Sequence, residues 1–145
     1  MRIAIASDHG GVEAKAALIE FLKQREHEVL DQGTHNTESC DYPDFAAAVA
    51  RAVQKDAELG VLVCGTGIGM AMTANRFSGI RAAVVNDAFS AGMCREHNNA
   101  NVICFGARLL AIPAMERFLE IFLKTPFGGD RHERRVAKIN QFDKA

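Results

Sequence analysis

The chain has 145 residues, 48% of them hydrophobic and 24% charged, with a formal net charge of −1 at pH 7. That length suits one domain with a substantial core and is short for two. The near-neutral balance argues against a general nucleic-acid or membrane-surface binder, and no apolar run approaches the roughly 18 residues that span a bilayer.

The N-terminal stretch Arg2-Ile3-Ala4-Ile5-Ala6-Ser7 reads as a strand with no secretory leader pattern, so a soluble cytoplasmic protein is expected. Strand-like runs follow at 28–31, 61–64, 81–85 and 102–105, after the first at 3–7. Helix-like stretches alternate with them at 12–25, 42–56, 67–77, 88–96 and 112–124. In the first of these, Ala14, Ala17, Leu18, Phe21 and Leu22 recur at helical spacing and form an apolar stripe. Pro43 and Pro113 stand where helices begin, with Asp41 near one start.

This alternation predicts an α/β fold: a single Rossmann-like three-layer domain with a five-stranded parallel sheet in the order 2-1-3-4-5. The tail departs from the rhythm. Thr125-Pro126-Phe127-Gly128-Gly129 reads as a turn, Asp130 as an N-cap, and 131–142 as a final helix that must pack on the same domain or on a partner subunit.

Ligands of doubly wound sheets bind beyond the carboxyl ends of the strands, where strand order reverses. In the expected order that point lies between strands one and three. Strand one ends in Ser7-Asp8-His9-Gly10-Gly11 and strand three in Cys64-Gly65-Thr66-Gly67-Ile68-Gly69, so two polar, glycine-rich turns meet at one crevice. A helix start beside Cys64 favours negative charge on the sulfur, and the closely spaced glycines let backbone N–H groups approach a ligand. Cys40, Cys94 and Cys104 are scattered without a CxxC pair and read as reduced, hydrophobe-like thiols.

Other readings of these turns are available. A dinucleotide fingerprint needs glycine where Met70 stands and normally follows the first strand, although Asp87 lies at a suitable distance downstream. A phosphate-binding Walker loop needs a Gly-Lys-Ser/Thr that is absent. Asp8 could cap a helix, and Met70 with Met72 could fill gaps in the core. Arg95-Glu96-His97-Asn98-Asn99-Ala100-Asn101 is more polar than a connection requires, and His97 could serve as an acid near neutrality or simply complement a helix end. Arg131 and Arg135 share one helix face and suit phosphate oxygens, with Arg108 as a possible third; the plainer reading is a solvated charged face.

Taken together, Asp8-His9-Gly10-Gly11, Asp31-Gln32-Gly33-Thr34, Asp41-Tyr42-Pro43, Cys64-Gly65-Thr66-Gly67-Ile68-Gly69, Ala74-Asn75, Gly79-Ile80-Arg81-Ala82, His97-Asn98, Phe105-Gly106-Ala107-Arg108 and the Gly129–Arg135 segment resemble the ribose-5-phosphate isomerase B / galactose-6-phosphate isomerase family over nearly the whole chain. The resemblance implies an aldose–ketose isomerase of pentose phosphate metabolism, acting on ribose 5-phosphate and ribulose 5-phosphate without metal or organic cofactor. Allose 6-phosphate and galactose 6-phosphate are the rival substrates within the family. It implies Cys64 as the base moving a proton between C2 and C1. A second branch of the family uses a glutamate just after the glycine turn, where this chain has Met70.

The backbone N–H groups from Gly65 to Gly69, those of Gly67 and Ile68 included, and the Thr66 hydroxyl are suited by the turn to hold the enediolate oxygens of such a reaction. By the same resemblance His97 opens the sugar ring as proton donor, Asp8 assists, and Asn98 holds sugar hydroxyls. His9, Arg108, Arg131 and Arg135 form the polar, phosphate-binding end. The family's site lies between subunits, which implies a homodimer or a dimer of such dimers. A non-catalytic sugar-phosphate or nucleotide binding module would keep the arginines and the glycine turn but have no use for Cys64 or His97.

Overall fold

The computed structural model describes residues 1–143 of the chain. Five parallel strands form one sheet: β1 (Arg2–Ser7), β2 (Glu28–Asp31), β3 (Leu59–Cys64), β4 (Ala82–Val84) and β5 (Val102–Gly106). Among the described residues six helices accompany them: α1 (Val12–Gln24), α2 (Tyr42–Lys55), α3 (Ile68–Ala74), α4 (Ala88–Glu96), α5 (Ile112–Lys124) and α6 (Arg131–Asn140). A 3-10 turn at His9–Gly11 leads into α1, and another at Gln141–Asp143 follows α6.

Alternation along the strands divides the core in two. Ile3, Ile5, Val61, Val63, Ile103 and Phe105 pack on one face beneath α1, α4 and α5. Ala4, Ala6, Leu62, Cys64, Val102 and Cys104 face α2 and α3. β3 and β5 are buried along their whole length, as strands covered on both faces must be. Among the largest fully buried side chains are Phe105, Phe122, Leu18 and Ile103, each contributing about 1.5–3 kcal/mol by leaving water.

The strand order is β2-β1-β3-β5-β4, not 2-1-3-4-5. The fifth strand sits inside and the fourth at the edge. Bulk and length explain the exchange: Val102-Ile103-Cys104-Phe105 supplies large apolar groups to both faces, whereas Ala82-Ala83-Val84 is short, small and only half-buried. The exposed side of β4 is blunted by Asn75, whose Oδ1 accepts from Ala82 N at 2.7 Å while its Nδ2 donates to Ala82 O at 3.0 Å. One amide side chain thus replaces a strand partner.

The reversal of strand order between the parallel neighbours β1 and β3 is as expected, and it positions the site. Ser7 pairs with Val63, and Cys64 with Gly106, so three strand ends lie side by side. Asp8 N donates to Val63 O at 3.1 Å and Ala107 N to Cys64 O at 2.8 Å, which locks the loops after β1, β3 and β5 together.

Candidate active site

An open cleft of about 480 Å³ lies over these strand ends, lined by Asp8, His9, Tyr42, Cys64, Gly65, Thr66, Ile68, Gly69, Met72 and Arg108. Cys64 ends β3 and is 5% exposed, so its sulfur sits at the floor of the cleft. The chain then reverses through Gly67, at φ +80°, to begin α3. This conformation suits glycine, and a Cβ there would stand 3.1–3.3 Å from backbone atoms of Cys104 and Phe105. Its consequence is chemical: the Gly67 N–H donates to Cys64 Sγ at 3.1 Å. Since α3 has only seven residues, this single aimed donor matters more to the sulfur than the helix dipole.

The neighbouring groups are fixed by the same turn. Ile68 N donates to Thr66 Oγ1 at 3.3 Å, which leaves the Thr66 hydroxyl proton for another acceptor. Asp8 Oδ1 accepts from Gly10 N at 3.0 Å; the carboxylate caps the 3-10 turn and also lines the cleft. His9 Nδ1 accepts from Cys40 N at 3.3 Å, which places the proton of a neutral ring on Nε2. Arg108 lines the opposite side, its backbone N held by Gly65 O at 3.0 Å.

His97, Asn98, Arg131 and Arg135 do not line this cleft. His97 is the C-cap residue of α4, and its ring stacks on that of His132 with centroids 4.3 Å apart and planes 16° from parallel. Asn98 lines a separate cavity of about 580 Å³ beside Arg81, Ile139 and Phe142. Arg131 and Arg135 are exposed on α6, one turn apart and flanking His132. Burial where it stacks lowers the His132 pKa, as do the charges of His97, Arg131 and Arg135, against a weaker pull from Glu96. Sequence-predicted site residues therefore form two groups, one around Cys64 and one around His97.

Several smaller expectations change. Met70 is buried, but Met72 is 68% exposed on the cleft wall rather than in the core. Asp87 caps α4, accepting from Ser90 N at 2.7 Å, which gives that residue a structural task in place of a ribose contact. Asp130 occupies the N-cap position of α6 without a side-chain capping bond. Tyr42 was not among the sequence candidates, yet its ring lies against Gly69, where an added Cβ would come within 2.5 Å of it. Its place at the first turn of α2, before Pro43, reads from local pattern as a helix start, and the signal that could have found it is the Asp41-Tyr42-Pro43 motif of the family resemblance.

Residues 3–139 match the profile of the Ribose/Galactose Isomerase family. Ribose-5-phosphate isomerase B of Escherichia coli is 38% identical over 143 residues, covering 98% of this chain and 96% of that protein. The structure of Clostridium thermocellum ribose-5-phosphate isomerase B superposes with a TM-score of 0.98 at 45% identity, over 99% of this chain and 98% of that one. The Mycoplasma genitalium enzyme, solved with bound ribulose-5-phosphate, gives a TM-score of 0.95 at 42% identity, over 99% and 96% of the two chains. A cysteine presented beside a glycine turn at the reversal of a parallel sheet, together with similarity along nearly the full length, places this chain in the ribose/galactose isomerase family.

Proposed function

We propose that the protein interconverts D-ribose 5-phosphate and D-ribulose 5-phosphate through an enediolate. The observation that carries this reading is the N–H of Gly67 aimed at Cys64 Sγ on the floor of the cleft, which gives the sulfur a hydrogen-bond donor where a base is needed. The bound ribulose-5-phosphate of the Mycoplasma genitalium relative supports the choice of substrate.

The chemistry runs in two stages. His97 gives a proton to the ring oxygen while Asp8 assists loss of the C1 hydroxyl proton, and the C1–O bond to the ring breaks to leave an open-chain aldehyde. Cys64 then takes the proton from C2, and the electron pair moves into a C1–C2 double bond with negative charge on the former carbonyl oxygen. The amides of Gly65, Thr66 and Gly69 and the Thr66 hydroxyl stabilise the enediolate oxygens as an oxyanion hole. Return of the proton from Cys64 to C1, with transfer of the O2 proton to O1, completes the ketose. His9 and Arg108 hold the polar end of the substrate.

The complete site is shared between two subunits. The cleft holds the base but lacks His97, Asn98, Arg131 and Arg135, and Ile68, Met72 and Leu109 near it are 49%, 68% and 59% exposed. A second copy would cover this apolar rim and deliver the missing groups from α4 and α6. Such a homodimer, alone or paired into a tetramer, would work in the cytoplasm among other sugar phosphates.

The test is turnover with solvent deuterium. Wild-type protein should isomerise ribose 5-phosphate with deuterium entering the transferred position, and Cys64→Ala should fold but lose turnover. Full activity in that variant would remove Cys64 from its assigned role. Comparing kcat/KM for ribose 5-, allose 6- and galactose 6-phosphate identifies the preferred chain length. Mixed dimers of Cys64→Ala with His97→Ala should recover activity through one intact site, whereas sites contained within single chains would recover none.

A further inference from the structure

We infer that His132 is a positioning residue for His97: its imidazole, stacked on the His97 ring, fixes the plane in which His97 offers its proton. The inference rests on the reading of His97 as proton donor given above. A general acid must present its N–H along one direction, and a histidine in that role is normally oriented by a second group bonded to its other nitrogen. Among the described residues the His97 ring has no hydrogen-bond partner. The near-parallel contact with His132, at 4.3 Å and 16°, takes that place.

Both sides of the stack are anchored through backbone. His97 N donates to Met93 O at 2.8 Å, closing the last turn of α4, and Gly128 N donates to Glu96 O at 2.9 Å, tying the approach to α6 against the residue before His97. His132 N in turn donates to Gly129 O at 3.0 Å. Behind His97, Arg95 Nη1 donates to Ala100 O at 2.6 Å and Arg81 Nε to Asn99 O at 2.9 Å. The backbone at His97 is therefore held on both sides, and rotation of the ring about its own bond is the freedom that the stack removes.

The surrounding charges suit this task. Arg131 and Arg135 on α6 and Glu96 and His97 on α4 are the charged or titratable groups that face His132. Burial in the stack and the neighbouring cations disfavour a charge on His132, so its ring serves as an aromatic face against His97 and competes little for its proton.

His132 could instead matter only as an anchor for α6, whose arginines bind phosphate, and kinetics separates the two roles. Loss of phosphate placement raises KM, whereas loss of orientation in the donor lowers kcat. Steady-state rates on ribose 5-phosphate are compared for wild type, His132→Ala, His132→Phe, His97→Ala and the double variant His97→Ala/His132→Ala.

We expect kcat to fall about tenfold in His132→Ala with KM within about twofold, and the flat ring of His132→Phe to restore kcat to within about threefold of wild type. Because His132 acts through His97, adding His132→Ala to His97→Ala should cost no more than about twofold further. A wild-type kcat in His132→Ala, a change in KM alone, a folded His132→Phe as slow as His132→Ala, or a full additional loss in the double variant would each overturn the inference. An inactive wild-type protein, or an undiminished His97→Ala, would instead overturn the functional reading beneath it.

Discussion

Replacing Gly67 with alanine tests whether the turn after β3 serves the sulfur. Two costs can be worked from the structure. The φ of +80° places a side-chain-bearing residue in the left-handed region, at about 1–2 kcal/mol. The new Cβ would also lie 3.1 Å from the carbonyl carbon and 3.2 Å from the carbonyl oxygen of Phe105, in a central strand that yields little. Together these should lower folding stability by about 2–4 kcal/mol and the Tm by about 5–15 °C, leaving a cooperative fold.

Relief of the contact must move the residue 67 amide away from Cys64 Sγ. A hydrogen bond to a charged partner is worth about 1.5–3 kcal/mol, so kcat should fall roughly 10- to 150-fold. Denaturant unfolding, steady-state turnover and the rate of Cys64 alkylation are measured on the same preparation. Gly79→Ala is the control: its φ of +78° carries the same backbone cost, but nothing lies within 4 Å of the new Cβ. A folded Gly67→Ala with wild-type kcat and wild-type alkylation would refute the assignment of that amide to the sulfur.

Three further outcomes are expected. Burial alone would push the Asp31 carboxyl up, but the hydrogen bond from Lys15 at 2.6 Å, the Gly33 N–H and the Lys15 charge together hold it below the usual carboxylate range. This contribution to stability is full above the unfolded-state value and is lost as pH falls through the folded one. Asp31→Asn should therefore flatten stability below about pH 4 and cost about 2–4 kcal/mol near pH 7 by stranding Lys15, which is 4% exposed, as denaturation across pH will show. Burial pushes the Cys94 thiol up to about 11 and raises Cys104 further, so peptide mapping after iodoacetamide treatment at pH 8 should find both unlabelled in native protein. Asn75→Ala removes both bonds to the edge strand and should cost about 1–3 kcal/mol, with faster hydrogen exchange at the Ala82 amide as the local readout.

How much of this was legible in sequence depended on the range of the interactions. The spans 28–31, 88–96 and 112–124 coincide with β2, α4 and α5, because local periodicity and a proline at a helix start carry that information. The exchange of β4 and β5 was not legible, since both runs are apolar and which one lies inside is decided by how α4 and α5 pack across the sheet. Residue size was the available signal: Phe105 and Ile103 need a covered position that Ala82 and Ala83 do not.

The site divides along the same line. Asp8, His9 and the segment from Cys64 to Gly69 were readable because each is a contiguous turn at a strand end, and the sheet brings such turns together whatever the details of packing. Tyr42 reaches the cleft only because α2 lies beside α3, and the stack of His132 on His97 joins residues far apart in the chain through a loop with no regular structure. Neither contact leaves a periodic trace. Both add shape and orientation around groups whose chemistry is already apparent from residue type, whereas the groups that carry charge or protons stand in motifs. A sequence therefore reveals reactive atoms more readily than the neighbours that aim them. The turn at Cys64 is the exception that shows why: there the sulfur and the amide directed at it lie three residues apart, so one short motif contains both.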